Sequence, residues 1–410
     1  MQPDMQPDLI SSWRDPELAR ILIEGISRQA EKLSALRGAA DDAGSNAGNT
    51  PIKIMEVCGT HTMAIAKWGL RDVLPDNITL VSGPGCPVCV TANADIDQAI
   101  ELAKQPDVII TTFGDMMKVP GSYESLSDVK VQGHDVRIVY SPLDALDIAE
   151  KETDKQVIFI AVGFETTTPL IAATIKRAAA MELDNFSVCA IHKTVPKALL
   201  AIADDPEVQV SALILPGHVS TIIGLEPYQF LAKDFGIPSV IAGFEPVDIL
   251  QSILMLLEQL VALVEVAEES DQTAAPAASA TAPAVARVDL AYTRGVAVDG
   301  NPVARATIDE VFQPNDANWR GLGVIPETGL VLRDNFAQFD ATKRFDIDLP
   351  PTIEPKGCQC GDILRGVISP HDCRLFGRAC TPQNPIGPCM VSSEGSCAAW
   401  YRYYGSADQQ

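Results

Sequence analysis

The ten cysteines are the side chains of this sequence best suited to chemistry, and they are unevenly distributed along its 410 residues. Six of the ten are crowded between positions 358 and 397. In a chain for which we expect no export signal, such crowding indicates metal ligation or redox chemistry more than a disulfide framework. The only close pair in the crowded region is Cys-x-Cys, whereas a zinc ribbon uses two Cys-x2-Cys pairs. The spacing therefore favours an iron–sulfur cluster, with structural zinc as the alternative. The six crowded cysteines are Cys358, Cys360, Cys373, Cys380, Cys389 and Cys397.

A second candidate is the motif Cys58-Gly59-Thr60-His61-Thr62, which follows an apolar run ending at Val57. Gly59 permits a tight turn from strand to helix, and the first N–H groups of that helix then face the cysteine. We expect this environment to lower the pKa of Cys58, making its thiolate a nucleophile or soft-metal ligand with His61 as its partner. The alternative is a buried cysteine and a histidine that only completes the helix cap.

The motif Gly83-Pro84-Gly85-Cys86-Pro87-Val88-Cys89 follows another apolar run. Two residues between the cysteines let their sulfurs meet in a short turn, which is the spacing of thiol–disulfide oxidoreductases. The pair could also supply half of a zinc site, but a matching second pair is distant in the sequence. We therefore favour a redox dithiol at Cys86 and Cys89.

Polar motifs without cysteine follow several further apolar runs. One of them, Gly163-Phe164-Glu165-Thr166-Thr167-Thr168-Pro169, is also consistent with simple helix capping. Ligands of open parallel sheets bind at the carboxyl ends of the strands, so we expect these polar side chains to converge on a cleft between two domains. No segment matches a dinucleotide fingerprint or a P-loop. The side chains expected in the cleft are Asp115, Glu165, His192, His218 and Glu245.

The elements that must position these motifs alternate between apolar runs and helical stretches. Eight runs rich in Val and Ile are typical of strands buried on both faces, and this alternation predicts an α/β fold with two similar parallel-sheet domains. The strands are predicted at 52–57, 78–81, 108–112, 136–140, 157–162, 186–191, 210–215 and 239–242. The helices are predicted at 63–73, 94–104, 143–152, 169–181, 197–203 and 246–268.

These elements predict six consecutive regions. The cysteine-rich end of the chain is expected to have little regular structure. The regions are an N-terminal helical segment and loop (1–50), a first α/β domain with Cys58, Cys86 and Cys89 (51–141), a second α/β domain (142–268), a flexible Ala- and Pro-rich insertion (269–286), an α/β connecting segment (287–350) and the Cys-rich iron–sulfur domain (351–410).

Charge and hydropathy exclude several classes of protein. With 31 basic and 54 acidic residues the formal net charge is −23, which argues against nucleic acid as the main partner. The most apolar segment, 249–264, is interrupted by Gln and Glu, so we expect no membrane insertion. The first residues include Asp4 and Asp8 and no basic region, unlike a signal peptide, so we expect a cytoplasmic protein.

Five motifs, taken in order, resemble those of the HypD family of [NiFe]-hydrogenase maturation factors. The resemblance extends over about residues 15–405, and several of the motifs are long. They are Cys-Gly-Thr-His-Thr at 58–62, Gly-Pro-Gly-Cys-Pro-Val-Cys at 83–89, Gly-Phe-Glu-Thr-Thr-Thr-Pro at 163–169, Pro-Gly-His-Val-Ser at 216–220, and a tail with Cys-x-Cys-Gly and Pro-Cys-Met-Val-Ser-Ser-Glu-Gly-Ser-Cys-Ala-Ala-Trp-Tyr at 388–401.

This resemblance implies a redox-active scaffold, more than a freely turning-over enzyme, for assembly of the Fe(CN)2CO unit of the hydrogenase active site. It implies HypC as a small partner, HypE as the donor of cyanide, and the hydrogenase large subunit as recipient through HypC. In the family, a 4Fe-4S cluster lies near the Cys-x-x-Cys pair, much as in ferredoxin:thioredoxin reductase.

Residue by residue, the resemblance implies that Cys58 binds the iron jointly with HypC and that Cys86 and Cys89 exchange electrons with the cluster. His61 and Glu165 would line the same cleft. The implied cluster ligands are Cys360, Cys373, Cys380 and Cys397, with Cys358 and Cys389 as alternates. Two other functions stay open: an iron–sulfur disulfide reductase in which Cys58 is only structural, and a zinc-stabilised interaction protein.

Overall fold

The computed structural model describes residues 11–39, 50–272 and 286–405. The strands are β1 (Ile52–Glu56), β2 (Ile78–Ser82), β3 (Val108–Thr112), β4 (Asp135–Ile138), β5 (Gln156–Ala161), β6 (Phe186–Ala190), β7 (Ala212–Pro216), β8 (Ser239–Ala242), β9 (Val288–Leu290), β10 (Phe312–Trp319) and β11 (Gly323–Leu332). The helices are α1 (Pro16–Ala39), α2 (Gly59–Lys67), α3 (Pro87–Val90), α4 (Asn93–Ala103), α5 (Leu126–Val131), α6 (Pro142–Lys151), α7 (Thr168–Ala180), α8 (Val195–Asp204), α9 (Gly217–Ile223), α10 (Gln229–Lys233), α11 (Pro246–Gln272), α12 (Pro302–Val311), α13 (Ala341–Arg344), α14 (Cys360–Leu364) and α15 (Ser396–Tyr404).

The chain forms two compact units, and each is built from two separate stretches of sequence. The first unit comprises 1–83 and 206–300, and the second comprises 84–205 and 301–410. Each contains one sheet whose strands are all parallel. The predicted α/β class with two parallel-sheet domains is therefore confirmed.

The first unit is organised around a five-stranded sheet in the order β2-β1-β7-β8-β9. Strands β7 and β8 are entirely buried, and the fully buried Ile54 of β1 and Ile214 of β7 belong to the same apolar core as α1 and α11. On α1 the buried residues Ile26, Ala30 and Leu33 recur at helical spacing, which places one apolar stripe against that core.

Helix α11 is the most apolar element of the first unit. Within the described residues it is the one helix whose segment Pro246–Ala267 is long and apolar enough to cross a membrane, judged by length and composition. However, 61% of its most apolar window is buried inside the fold, and α11 packs on α1 and β8. Its hydrophobicity is therefore accounted for as that of a core helix.

The second unit contains a four-stranded parallel sheet in the order β4-β3-β5-β6 and an antiparallel hairpin of β10 and β11. Phe159 on β5 and Val188 on β6 are fully buried in one apolar cluster with Phe312 at the start of the hairpin. The remainder, from 345 to 405, has only the short helices α14 and α15 and a few 3-10 turns. Little regular structure was expected there, and little is found.

All eight predicted strands exist, but they are distributed differently from the predicted domains 51–141 and 142–268. Strands β1 and β2 share a sheet with β7 and β8, while β3 to β6 form the other sheet. The predicted boundary at 141/142 therefore lies inside the second unit, between β4 and α6. Local patterns identify a strand, but only long-range pairing decides which sheet it joins.

The structure describes all of the predicted connecting segment and only part of the predicted insertion. The segment 287–350 was expected to be irregular α/β structure, and it contains β9, α12, the β10–β11 hairpin and α13. Of the predicted insertion 269–286, the residues 273–285 lie outside the described residues, and α11 continues to Gln272, past its predicted end.

Candidate functional site

The Cys58 loop follows the carboxyl end of β1 in the first unit. Cys58 is the N-cap residue of α2 and is buried, with extended backbone dihedral angles and no side-chain capping bond. Its N–H donates to Oε2 of Glu56 at 3.2 Å, and the Thr62 hydroxyl donates to Oε1 of Glu56 at 2.5 Å. The two bonds hold both sides of the cysteine turn to one buried carboxyl group.

Glu56 was not singled out in the sequence. Burial raises the pKa of Glu56 to about 7, against the lowering effects of the hydrogen bonds from Thr62 and the Cys58 N–H. The available signal was an acidic residue at the end of a strand in which only Lys53 is not buried. Burial of a carboxyl group costs free energy of desolvation, so its presence in a buried strand indicates a structural or chemical role.

His61 lies in the first turn of α2 and is fully buried. Its Nε2 is 2.9 Å from the carbonyl oxygen of Gly243, which can only accept, so Nε2 carries the proton and Nδ1 is the unprotonated nitrogen. Nδ1 is buried and has no hydrogen-bond partner among the described residues. Burial lowers the pKa of His61 to about 4, which keeps the ring neutral at neutral pH.

Three motifs of the first unit meet beside His61. The ring of Phe244 is stacked between His61, at a centroid distance of 4.7 Å, and His218, at 3.9 Å. Gly243 leaves no room for a side chain, because an added Cβ would lie 2.4 Å from a carboxyl oxygen of Asp248. Glu245 is paired with Arg14 through its carboxylate. The loops after β1, β7 and β8 thus converge at one sheet edge, as expected for a parallel sheet.

Cys86 and Cys89 belong to the second unit and form a disulfide. Cys86 is the N-cap residue of the short helix α3, and Cys89 lies within this helix. Both are buried, and the Cys89 N–H donates to the Cys86 sulfur at 3.2 Å. The two-residue spacing therefore allows the sulfurs to meet in a turn, as the sequence predicted. Helix α3 also contacts the 3-10 turn Pro388–Met390, which contains Cys389.

The cysteine-rich region surrounds a small apolar cavity, which we call the cysteine cavity. Ile363, Leu375, Phe376 and Met390 supply its apolar walls. Cys389 is fully buried but does not line the cavity. The cysteines that line it are Cys358, Cys360, Cys373, Cys380 and Cys397.

Cys360 is central to this group of thiols. A hydrogen bond with Cys360, together with burial, raises the pKa of Cys397 well above its ordinary value. The pKa of Cys358 is raised in the same way, with a small opposing effect from Arg320. Gly387 also lines the cavity. A residue with a side chain would not fit at this position, because an added Cβ would lie 2.6 Å from the sulfurs of both Cys358 and Cys360.

These thiols face a shared cavity and do not converge on one point. Among the residues that the structure describes, no group of three or more His, Cys, Asp and Glu side chains is arranged to hold a single metal ion. The sequence predicted Cys360, Cys373, Cys380 and Cys397 as cluster ligands with Cys358 and Cys389 as alternates. The structure places the first four and Cys358 around the cavity, and Cys389 behind it.

The candidate cleft residues are divided between the units. His218 and Glu245 belong to the first unit, and Asp115, Glu165 and His192 belong to the second. Asp115 accepts hydrogen bonds from the hydroxyls of Ser392 and Ser393, in the turn between Cys389 and Cys397. The cleft between domains stays a prediction.

Glu165 acts within the second unit as a cap for another helix. Its Oε1 accepts a 2.9 Å bond from the N–H of Val195, the first residue of α8, while Oε2 is buried without a partner among the described residues. Burial raises the pKa of Glu165 to about 7. His192 is also buried, both of its ring nitrogens lack a partner among the described residues, and burial lowers its pKa to about 3.

The raised pKa of Glu165 predicts a pH-dependent effect on stability. Between about pH 4.5 and 7 the folded protein keeps a proton that the unfolded chain has lost, so this group's contribution to stability falls as pH rises. Glu165→Gln retains an acceptor for Val195 but cannot ionise. We expect the stability of the variant relative to wild type to increase between pH 5 and pH 8, by at most about 3 kcal/mol.

The measurement is the urea unfolding free energy of both proteins at the two pH values. Glu150→Gln, at an exposed glutamate on α6, is the matched control and should show no such trend. An unchanged difference between Glu165→Gln and wild type across this range would contradict the prediction.

Cys189 needs no catalytic interpretation. It is fully buried in β6, its sulfur is 3.8 Å from the side-chain oxygen of Gln98, and burial raises its pKa far above the ordinary value. The residue packs in the core of the second unit and is suited to serve as a control.

Comparison with known proteins supplies a family assignment. Residues 34–404 match a family model described as HypD, hydrogenase formation hypA family. The hydrogenase maturation factor HypD2 of Bradyrhizobium diazoefficiens is 44% identical over 406 residues, with 97% of each chain covered. The hydrogenase maturation factor HypD of Azotobacter vinelandii is 45% identical over 401 residues, with 96% of each covered. The HypD of Escherichia coli is 41% identical over 395 residues, with 96% of this chain and 97% of the relative covered.

Proposed function

The chain belongs to the HypD family of hydrogenase maturation factors, and we propose that it is the redox-active scaffold on which the Fe(CN)2CO unit of the [NiFe]-hydrogenase active site is assembled. In this proposal HypC shares the iron, HypE donates cyanide, and the hydrogenase large subunit receives the product through HypC. The place of work is the cytoplasm.

One observation carries the proposal: the buried disulfide and the cysteine cavity belong to the same compact unit, and segments that carry them are in contact. Helix α3, which follows Cys86 and contains Cys89, packs against the 3-10 turn Pro388–Met390, and Met390 of that turn lines the cavity. A dithiol adjacent to a group of thiols is the arrangement needed to pass electrons from a metal cluster to a disulfide. Such an exchange requires this kind of proximity.

The residues of the cysteine cavity fit a 4Fe-4S cluster. Thiolates are the usual protein ligands of such clusters, and five thiols face one cavity with apolar walls. Several thiols cannot all lose their protons in a buried apolar site unless a positive charge is present, and cluster iron would supply that charge. Gly387 leaves the space beside the Cys358 and Cys360 sulfurs free of a side chain. We assign Cys360, Cys373, Cys380 and Cys397 as ligands, and the bound cluster would supply single electrons.

Cys86 and Cys89 provide the two-electron chemistry. Reduction of their disulfide takes up two electrons and two protons and yields two thiols. Transfer of cyanide from a cysteine-bound thiocyanate to iron requires reducing equivalents, and a dithiol carries them in pairs. Because both sulfurs are buried, a small oxidant in solution has little access to the reduced pair.

The Cys58 loop provides the site for the iron cargo. Low-spin iron that carries cyanide and CO is a soft centre suited to a thiolate ligand. Glu56 holds the backbone N–H of Cys58 and the Thr62 side chain, so the turn that carries the thiol is fixed by the protein itself. Burial keeps His61 neutral, so the ring adds no positive charge beside the Cys58 loop, and its buried Nδ1 is left as a hydrogen-bond acceptor.

Anaerobic purification tests the cluster part of this proposal. We expect a brown protein with about four irons and four acid-labile sulfides per chain. Stoichiometric zinc with no sulfide would contradict it and would favour the structural-zinc alternative.

A second candidate function is a disulfide reductase of the ferredoxin:thioredoxin reductase type. The observation in its favour is that the disulfide and the cysteine cavity share the second unit, whereas Cys58 belongs to the first. In that case Cys58 would be dispensable, and the replacement of Cys58 described in the Discussion separates the two functions.

A further inference from the structure

The turn of the β10–β11 hairpin, residues 319–323, contacts two segments of the second unit, which we call the redox segments. One is helix α3 with the Cys86–Cys89 disulfide, and the other is helix α14, which starts at Cys360. Arg320 follows the last residue of β10, and its side chain is only 4% exposed. Its N–H donates to the carbonyl of Val90, the last residue of α3, and its Nε donates to the carbonyl of Thr91 at 3.0 Å. One Nη also bonds to Asn93 at the start of α4.

These bonds satisfy carbonyl groups at the end of the short helix that begins beside Cys86. Four residues of helix leave the terminal carbonyls without partners of their own, so α3 depends on an outside donor for its geometry. A guanidinium group has a rigid fork of donors, and here each of its three nitrogens makes one hydrogen bond. Its remaining nitrogen pairs with Glu354, on the segment that leads into Cys358.

The next residue of the turn contacts the cysteine cavity. Gly321 has φ of +80° and lies against Gly361 in α14, which starts at Cys360. A Cβ added to Gly321 would lie 2.2 Å from the Cα of Gly361, and a Cβ added to Gly361 would lie 2.7 Å from the Cα of Gly321. Backbone packs directly on backbone here, so the contact cannot yield by a side-chain rotation.

Trp319 anchors the turn itself. It is buried, forms a β-bridge with Thr91, and donates from its indole nitrogen to the hydroxyl of Thr328 at 2.8 Å. Its ring is stacked on Phe164, the neighbour of Glu165. These contacts of Trp319 fix the turn to the second unit independently of its contacts with the two redox segments.

We propose that Arg320 and Gly321 are positioning residues that hold the Cys86–Cys89 helix at a fixed distance from the cysteine cavity. Arg320 attaches the turn to the end of α3, and Gly321 attaches it to α14 through Gly361. Electron exchange is sensitive to small displacements of the groups involved, so the turn acts on redox chemistry without contacting a sulfur atom. Only this redox consequence rests on the proposed function; the mechanical connection does not.

The chain offers a matched pair of variants to test the connection. Gly321 and Gly323 have similar positive φ angles, +80° and +75°, so alanine introduces similar backbone strain at both. Only at Gly321 does the added Cβ meet another segment, since nothing lies within 4 Å of the corresponding position at Gly323. The difference between Gly321→Ala and Gly323→Ala therefore isolates the contact with Gly361.

The first readout is hydrogen–deuterium exchange on the full-length protein. We expect Gly321→Ala and Arg320→Met to speed exchange about fivefold or more in both 88–93 and 358–364, and Gly323→Ala to change neither segment. Arg320→Lys, which keeps the charge but loses the fork, should resemble Arg320→Met. Faster exchange confined to the hairpin, or the same change in Gly323→Ala, would overturn the proposal.

The second readout is reduction of the Cys86–Cys89 disulfide by methyl viologen radical cation. Two radicals each give one electron, and with two protons the disulfide becomes two thiols, which are counted by alkylation and mass spectrometry. In Gly321→Ala with wild-type iron and sulfide content, we expect this reduction to be about tenfold slower. A wild-type rate in that variant would overturn the redox role. Absence of iron and sulfide from the wild-type protein would instead contradict the proposed function, and hydrogen exchange would still decide the connection.

Discussion

Replacement of Cys360 by alanine is expected to abolish cluster binding. Cys360 is in hydrogen-bond contact with Cys358 and Cys397, and its sulfur lies beside Gly387 at the cavity wall. Alanine removes one of the four proposed ligands from the centre of the group and leaves three of the assigned thiolates for the cluster. Anaerobically purified Cys360→Ala should therefore lose its brown colour and retain less than about a tenth of the wild-type iron and sulfide.

Three further cysteines make this experiment specific. Cys380→Ala, at another lining position, should lose the cluster as well. Cys389→Ala and Cys189→Ala remove buried thiols that do not line the cavity, and both should keep the wild-type iron and sulfide content. Full iron and sulfide in Cys360→Ala would show that our ligand set is wrong.

Replacement of Cys58 by alanine is expected to abolish the iron–cyanide bands in the infrared spectrum of the complex with HypC. The thiol of Cys58 is the proposed ligand of the iron cargo, and no other cysteine of the described residues belongs to the first unit. The loss should be complete, because a methyl group cannot coordinate iron. Iron and sulfide of the second unit should stay at the wild-type level.

Cys189→Ala is the matched control for Cys58→Ala, since it removes a buried free thiol from a strand of the other unit. It should retain the cyanide bands. Persistence of these bands in the Cys58→Ala complex would exclude the scaffold function and leave the disulfide reductase as the better explanation of the cluster and dithiol.

The fold class was predictable from local patterns because strands buried on both faces have a distinct composition. Runs such as 157–162 consist entirely of Val, Ile, Phe and Ala, and the flanking Pro and Thr residues mark the helix starts. The membership of each sheet was not predictable in the same way. Strand β1 pairs with β7, and no property of either segment alone specifies this partner.

The candidate site was predictable where chemistry depends on residue type and spacing. The Cys86–Cys89 pair illustrates this, since two intervening residues are enough to determine that the sulfurs can meet. Arg320 and Gly321 illustrate the opposite case. An arginine followed by glycine in a turn is common, and its importance depends on contacts with Thr91 and Gly361, which are far apart in sequence.

The interrupted course of the chain has a consequence for synthesis on the ribosome. Strand β1 and the Cys58 loop emerge early, but β7 and β8, which complete their sheet, emerge only after every strand of the four-stranded sheet. The second sheet can therefore close while the first is still half built. The Gly243 carbonyl that orients His61 comes still later. The Cys58 loop of the nascent chain thus stays without these partners until most of the length has been translated, so the site proposed for the iron cargo is completed late in folding.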